Sequence, residues 1–320
     1  MNAPALAPAP VAAFPAAGGM GHLALNVYVW GDAEQDRVMT EALLPTLRGL
    51  RHGGALRRLW LHRFDVRGPH LMGVLGGPIH RMDEVQIRLS AALDAYLSMS
   101  PSEVEIDGET LRRRHADCRG RALNPLDEQD GFAANNTYAF SAQDPAEAYV
   151  FRAAEGMSVS VLEPLLADLA LWSAERLRAG SSTWTAVAWM AGLTEALRGA
   201  GLEPEGFWRY YASTLLLRGT ERILAADPEL VEGLPALIGE PNRAALGAAW
   251  DAAEKGSPGW PDVAILAALV AGSSASARAR HGFVRELCHA VFAQLNLHVR
   301  IRIPLVLYAW HRTLAQADPR

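Results

Sequence analysis

The sequence predicts an α+β protein, a split βαβ (ferredoxin-like) sheet region followed by a mainly helical half. Three observations carry that class. Short runs before residue 143 alternate apolar and polar residues, the period of a half-buried strand. Between those runs lie two segments with apolar residues three and four apart, the period of a helix with one buried face. From Asp144 onward the alternation stops and helical periodicity takes over.

The chain opens on "MNAPALAPAPVAAFPAAGG", Ala/Pro-rich and without a basic residue ahead of its apolar part. Residues 1–20 therefore read as a flexible arm and not as a secretory signal. "HLALNVYVW", His22 to Trp30, alternates as a strand. Asp32 then reads as a helix N-cap, with Gln35 completing a capping box. Met39, Leu43, Leu47 and Leu50 give that helix its apolar face. Two alternating runs follow, Leu59–Phe64 and His70–Leu75, joined by a "DVRGP" turn. Asp83 reads as the cap of a second helix carrying Val85, Leu89, Leu93 and Tyr96 on one side. "EVEID", Glu103 to Asp107, is a short strand candidate and closes a β-α-β-β-α-β order.

Residues 108–143 read as irregular, with a basic run "LRRRH" and then "NPLDEQDGFAANNTYAF", in which Thr137–Phe140 offers one more strand. A connection of that length is usually a functional loop or holds an element that the pattern does not show. Asp144-Pro145 forms an Ncap–N1 pair. Helical periodicity then marks Ser158–Arg178, Thr183–Arg198, Glu205–Arg218, Asp227–Ile238, Asn242–Glu254, Asp262–Val270, Ala275–Leu295 and Pro304–Ala315. Residues 21–320 read as one α+β domain, sheet-rich over 21–143 and helical over 144–316.

Composition narrows the function. Half of the 320 residues are apolar, enough for one large core or two modest ones. No apolar run reaches the roughly 18 residues of a membrane span. A net charge of −5, with no basic stripe interleaved with aromatics, argues against nucleic acid as a partner. Only Lys255 among the 30 basic residues is a lysine, so a single arginine is a weak signal here. Cys118 and Cys288 match no metal spacing, and a reduced, cytoplasmic protein is expected. There is no P-loop, no GxGxxG after a strand, no HExxH and no GxSxG. The glycines of "AAGGMGHLAL" precede a strand, where no helix N-terminus waits for a phosphate. His281 and His289 lie eight apart on one helix, too far to share one ion. Neither a cofactor nor a metal is expected.

Three groups carry possible chemistry. His62, Arg63 and His70 stand on the hairpin, with His62 and Phe64 on one side of the strand and Arg63 on the other. The bland reading is a surface arginine and two satisfied histidines. Tyr138 in "NNTYAF" is followed by Tyr149 and Arg152, three apart on one helix face; ordinary packing with a solvated guanidinium is the favoured reading of this group. His289, in "HGFVRELCHAVFAQLNLHV", borders Leu287, Val291, Phe292 and Leu295. It is either a hydrogen-bonded core histidine or a general acid or base titrating near neutrality.

The succession "LALNVYVWGDAEQDRVMTEALLPTLRGL…ALRRLWLHRFDVRGPHLMGVLGG" resembles the C-terminal, elimination domain of lantibiotic dehydratases and its stand-alone relatives in thiopeptide biosynthesis. That family has a strand bearing a tryptophan, an arginine and an aromatic residue, here Trp60, Arg63 and Phe64. A Gly/Pro turn and "PHLRLR" follow, begun here by Pro69, His70 and Leu71. "TYAF" resembles its "TYExE", and "LCHAVFAQL" its "HMHxNR"-like helix. The departures are specific. Met72 and Val74 stand where the arginines of "PHLRLR" belong, the glutamates of "TYExE" are absent, and so is the Asn-Arg pair after the histidine.

Glutamate elimination needs a base for the α-proton and a cationic site for the departing carboxylate, and the motif arginines are gone. The resemblance therefore implies the altered branch of the family, the pyridine synthases. These join two dehydroalanines of one peptide in a formal aza-cycloaddition, then expel water and the leader peptide. By that resemblance Tyr138 and His289 would move protons, and Arg63 and His70 would polarise the reacting amide. The partner would be a ribosomal precursor peptide, leader and dehydrated core together. Two alternatives stay open. One is a stand-alone glutamate-elimination lyase with a glutamylating partner, and the other is a non-catalytic scaffold that binds a leader peptide.

Overall fold

The alternation of Met20–Tyr28 lays Leu23, Leu25 and Val27 on one side of strand β1, each at most 2% exposed. Strands β2 (Arg58–Phe64), β3 (His70–Pro78) and β4 (Thr137–Ser141) complete an antiparallel sheet in the order β2-β3-β1-β4. In this computed structural model residues 19–64, 67–119, 131–141, 159–178, 182–216, 240–255, 267, 277–297 and 299–317 are described. β3 lies between β1 and β2, antiparallel to both, so β1 and β2 run parallel with a helix crossing between them. That is the split βαβ arrangement expected from the order of elements.

Helix α1, residues 32–52, is the crossover. It runs as Asp32–Arg37, a π-helical stretch Val38–Leu43, and Leu44–His52. Pro45 has no N–H to give the preceding turn, and the wider stretch sits directly ahead of it. Val38, Met39, Leu43, Leu47 and Leu50 are all buried, as the apolar spacing requires. Helix α2 (Met82–Met99) buries Val85, Leu89 and Leu93. Neither helix is capped as the sequence suggests. Gly31 and Arg81 hold the N-cap positions without a side-chain capping bond, and Asp32 and Asp83 lie inside the first turns, where their charge faces the positive helix end. Gln35 is spent elsewhere, as described below.

The strand expected at Glu103–Asp107 does not form. Residues 101–107 are irregular and are held by side chains: Ser102 Oγ donates to the Trp30 carbonyl (2.6 Å), and Asn135 Nδ2 donates to the Val104 carbonyl (3.0 Å). The fourth strand is β4 instead, paired to β1 with Val27 opposite Tyr138. Asp107 caps helix α3 (Gly108–Arg119), accepting from the backbone of Glu109 and Thr110, so "LRRRH" is helical rather than irregular.

Helix α4 is Val159–Arg178. The chain divides into two compact units, one of Met1–Arg152 with Leu166–Gly180, the other of Ala153–Leu165 with Ser181–Arg320. In the first, Asp168 of α4 pairs with Arg51 of α1 at 2.9 Å, and Glu175 pairs with Arg48. In the second, helices α5 (Ser182–Gly199), α6 (Pro204–Leu216), α7 (Glu240–Glu254), α8 (Ala277–Gln294) and α9 (Val299–Ala317) enclose Trp189, Phe207, Trp208, Trp250, Phe292 and Trp310. Buried indoles tie helices together: Trp208 Nε1 donates to Thr194 Oγ1 and Trp310 Nε1 to Glu205 Oε1, both at 3.0 Å. Helix α9 begins at Val299, so Pro304 stands inside it rather than opening it. Residues 1–18, Asp144, Pro145, Tyr149, Arg152 and the helix expected over Asp227–Ile238 lie outside the described residues, as does that over Asp262–Val270 apart from Ala267. Among the described residues no helix is long and apolar enough to cross a membrane.

Candidate functional site

Register assigns every sheet residue to a face. Leu59, Leu61, Arg63, Leu71, Leu75, Leu23, Leu25, Val27, Tyr138 and Phe140 share one side. Arg63 bonds to Asp36 of α1 and Tyr138 to Asp94 of α2, so this is the face the helices cover. The other face carries Trp60, His62, Phe64, His70, Met72, Val74, Asn26 and Tyr28. The hairpin's arginine and histidines thus point to opposite sides, as the alternation of β2 predicts.

On the helical side Arg63 is enclosed. Its guanidinium pairs with Asp36 and donates to Gln35 Oε1 at 3.1 Å, while Gln35 Nε2 donates to the Val29 carbonyl at 3.0 Å. Burial lowers the pKa of Arg63 and raises that of Asp36, each opposed by the partner's charge. Tyr138 stands in the same cross-strand row, with Leu71 and Val27 between it and Arg63. Three strand spacings separate the two, roughly 14 Å. Its hydroxyl donates to Asp94 Oδ1 at 2.7 Å.

On the opposite face four rings follow one another. His62 and Phe64 have centroids 4.8 Å apart, Phe64 stacks on His70 at 5.9 Å, and His70 meets Tyr28 at 4.8 Å. The turn before β3 aims His70. Arg67 and Gly68 both take positive φ (64° and 108°), which brings the Gly68 carbonyl to 2.9 Å from His70 Nδ1. A carbonyl only accepts, so Nδ1 carries the proton. Burial drives the His70 pKa down to about 4, and the imidazole is neutral at physiological pH. Met72 and Val74, at the positions where the elimination family has arginines, are apolar members of this same face.

The second unit holds another constellation. His281, Arg285 and His289 are spaced four apart on α8, so they share one side of the helix. Two tyrosines of α6 meet them. Tyr210 stacks on His281 with centroids 6.0 Å apart and accepts a bond from Arg285 Nη1 at 3.2 Å. Tyr211 meets His289 edge-on, centroids 5.1 Å apart, with its Oη 3.4 Å from Nδ1. Arg285 also donates through Nε to Glu286 Oε1 at 2.8 Å, which balances its charge. Burial raises the Tyr211 hydroxyl well above its ordinary pKa, so it is a phenol and not a phenolate. Cys288 beside it is likewise pushed up by burial and stays a thiol.

Of the four residues singled out, Arg63, His70 and Tyr138 belong to the sheet unit and His289 to the helical one. The sheet separates Arg63 and Tyr138 from each other and sets His70 on the reverse face. Sequence reasoning missed Tyr210, Tyr211 and Arg285. Arg285 was reachable, being four residues from each histidine of an already noted pair. The tyrosines were not, because 78 residues separate Tyr211 from His289.

Among solved structures the chain matches the pyridine synthase TbtD from thiomuracin biosynthesis, with a TM-score of 0.62 and 21% identity over 92% of this chain and 98% of that one. It also matches the tRNA-dependent lantibiotic dehydratase MibB from Microbispora sp. 107891, with a TM-score of 0.49 and 17% identity over 96% of this chain and 29% of that one. No protein-family model matches the chain, and no curated protein matches it by sequence. The likeness to TbtD runs the length of both chains and shows a shared fold.

Proposed function

We propose that this protein is a tailoring enzyme of a ribosomally made peptide, a pyridine synthase that closes a macrocycle from two dehydroalanines. The observation that carries the reading is the end-to-end match in fold to a pyridine synthase, 92% of one chain on 98% of the other. The sheet supports it, since apolar Met72 and Val74 replace the arginines that would receive a departing glutamate.

The chemistry asks for orientation and proton transfer. The amide N–H of one dehydroalanine moves its proton to the preceding carbonyl oxygen, giving a 2-azadiene. That diene and the second dehydroalanine form two C–C bonds. The ring then loses the hydroxyl as water and the leader as its carboxamide, with one proton leaving each former methylene. Holding the two alkenes together supplies most of the effect. A positioned acid and base supplies a further 10²–10⁴-fold, roughly. His289 is our choice for that group. Arg63 and Tyr138 are given to the scaffold, since each is engaged by a helix, and neutral His70 to the aromatic row on the other face of the sheet. The partner is the precursor peptide, and no glutamylating partner acts in this step.

A second reading, glutamate elimination, draws on Arg285, the cation four residues from His289. Its pairing with Glu286 leaves less charge for a carboxylate, which ranks that reading below the first. The test is reconstitution. Purified protein and a leader-bearing peptide with two dehydroalanines should yield a pyridine macrocycle and a free leader carboxamide by mass spectrometry. Recovery of intact, leader-bound peptide would leave a binding scaffold. Conversion only of a glutamylated peptide would establish the lyase.

A further inference from the structure

We propose that Tyr211 is a positioning residue that fixes His289 in the tautomer with its proton on Nε2. The argument begins from the hydroxyl's surroundings. Tyr211 is 0% exposed and packed among Phe207, Trp208 and Phe292. Its Oη has one hydrogen-bond partner among the described residues, His289 Nδ1 at 3.4 Å. Two arrangements satisfy that contact. If Nδ1 carried the proton, the tyrosine would accept, and its own O–H would be left buried without an acceptor. An unmade buried donor costs about 1–3 kcal/mol. If the tyrosine donates, nothing is orphaned except a spare lone pair, which is far cheaper. The hydroxyl therefore donates to Nδ1, and the imidazole proton sits on Nε2. The raised pKa of the phenol agrees, because a donor must keep its proton. The rings meet at 89°, so the tyrosine also limits rotation of the imidazole.

The consequence deepens the proposed function, on which it rests only for catalysis. A resting His289 with Nε2–H enters the cycle as a hydrogen-bond donor, suited to an oxygen or nitrogen about to leave. The tautomer is the second thing a histidine acid needs after its place, and it is set by the bond on the other nitrogen.

The experiment reads the tautomer directly, apart from any activity. Protein carrying ¹⁵N-labelled histidine is examined by long-range ¹H–¹⁵N correlation at pH about 8, above the ordinary imidazole pKa. The His289 signals are assigned by their loss in His289→Phe. The wild-type protein should show Nε2–H alone, and Tyr211→Phe should show the second tautomer appearing. Nδ1–H in the wild type, or an unchanged tautomer in Tyr211→Phe, would overturn the proposal. Should Tyr211→Phe fail to fold, the wild-type spectrum alone decides. On the doubly dehydrated peptide, kcat of Tyr211→Phe should fall about tenfold or more at unchanged KM. An unchanged kcat beside a changed tautomer would remove the catalytic consequence. An inactive wild type showing Nε2–H would instead count against the pyridine synthase reading and leave the tautomer standing.

Discussion

Replacing His70 with asparagine should flatten the acid limb of stability. In the folded protein His70 is 5% exposed and donates through Nδ1 to the Gly68 carbonyl. Burial takes its pKa from 6.5 to about 4, and the nearby charge of Arg67 acts in the same direction. Unfolded, the same imidazole titrates at its ordinary value. Between pH 6.5 and about 4 the unfolded chain therefore binds a proton that the folded chain refuses. This contribution to stability is complete above 6.5 and is lost as the pH falls through that window. At about 1.4 kcal/mol per pH unit, the full loss is roughly 3 kcal/mol. Asparagine places an amide N–H near Nδ1 and does not titrate, so His70→Asn keeps the donor and removes the linkage. Urea unfolding of both proteins across pH 4–8 gives the difference curve. It should rise with acidity below pH 6.5 by an amount of that order. Parallel curves, or a His70 proton signal titrating at its ordinary value, would refute the reasoning.

Other substitutions separate scaffold from chemistry. Arg63→Met strands Asp36 beneath the sheet and should cost about 3 kcal/mol in chemical denaturation, with Asp36→Leu restoring part of it. Loss of turnover at unchanged stability would instead turn Arg63 toward the substrate. Tyr138→Phe removes exposed side-chain bonds to Asp94 and Ser90, so stability should move by about 1 kcal/mol or less and turnover by a few-fold at most. A hundredfold fall in turnover would return Tyr138 to the proton transfer. His289→Phe removes the acceptor of the buried Tyr211 hydroxyl and should cost about 1–3 kcal/mol of stability, while turnover per folded molecule falls about 10²–10⁴-fold. A destabilised His289→Phe with full specific activity would make that histidine a core residue.

Much of the sheet unit was legible because its signal is local. Alternation in His22–Trp30, Leu59–Phe64 and His70–Leu75 gave three strands, and spacing gave the apolar faces of α1 and α2. "EVEID" alternates as well as these do, yet the slot beside β1 went to Thr137–Ser141. What decided it was remote: Asn135 and Asn136 grip residues 102–104 by side chains, and Asp107 is needed as a cap. The same limit applies to the site. Alternation set Arg63 opposite His62, but both faces of β2 carry apolar residues, Leu59 and Leu61 against Trp60 and Phe64. Nothing local says which face takes the helices. Asp36 and Asp94 settle that only once α1 and α2 are folded onto the sheet. Tyr211 was invisible for a related reason. In "FWRYYAS" it reads as one more core aromatic, and only the packing of α6 on α8 sets its hydroxyl against His289.

The most direct test of the pyridine synthase reading follows the methylene hydrogens. A leader-bearing peptide whose two dehydroalanines carry CD₂ termini is incubated with the purified protein, and the products are weighed by mass spectrometry. Ring formation removes one deuteron from each former methylene, so the macrocycle should retain two of four, with the leader released as its carboxamide. A product that keeps all four deuterons, or a peptide that keeps its leader, would contradict the account.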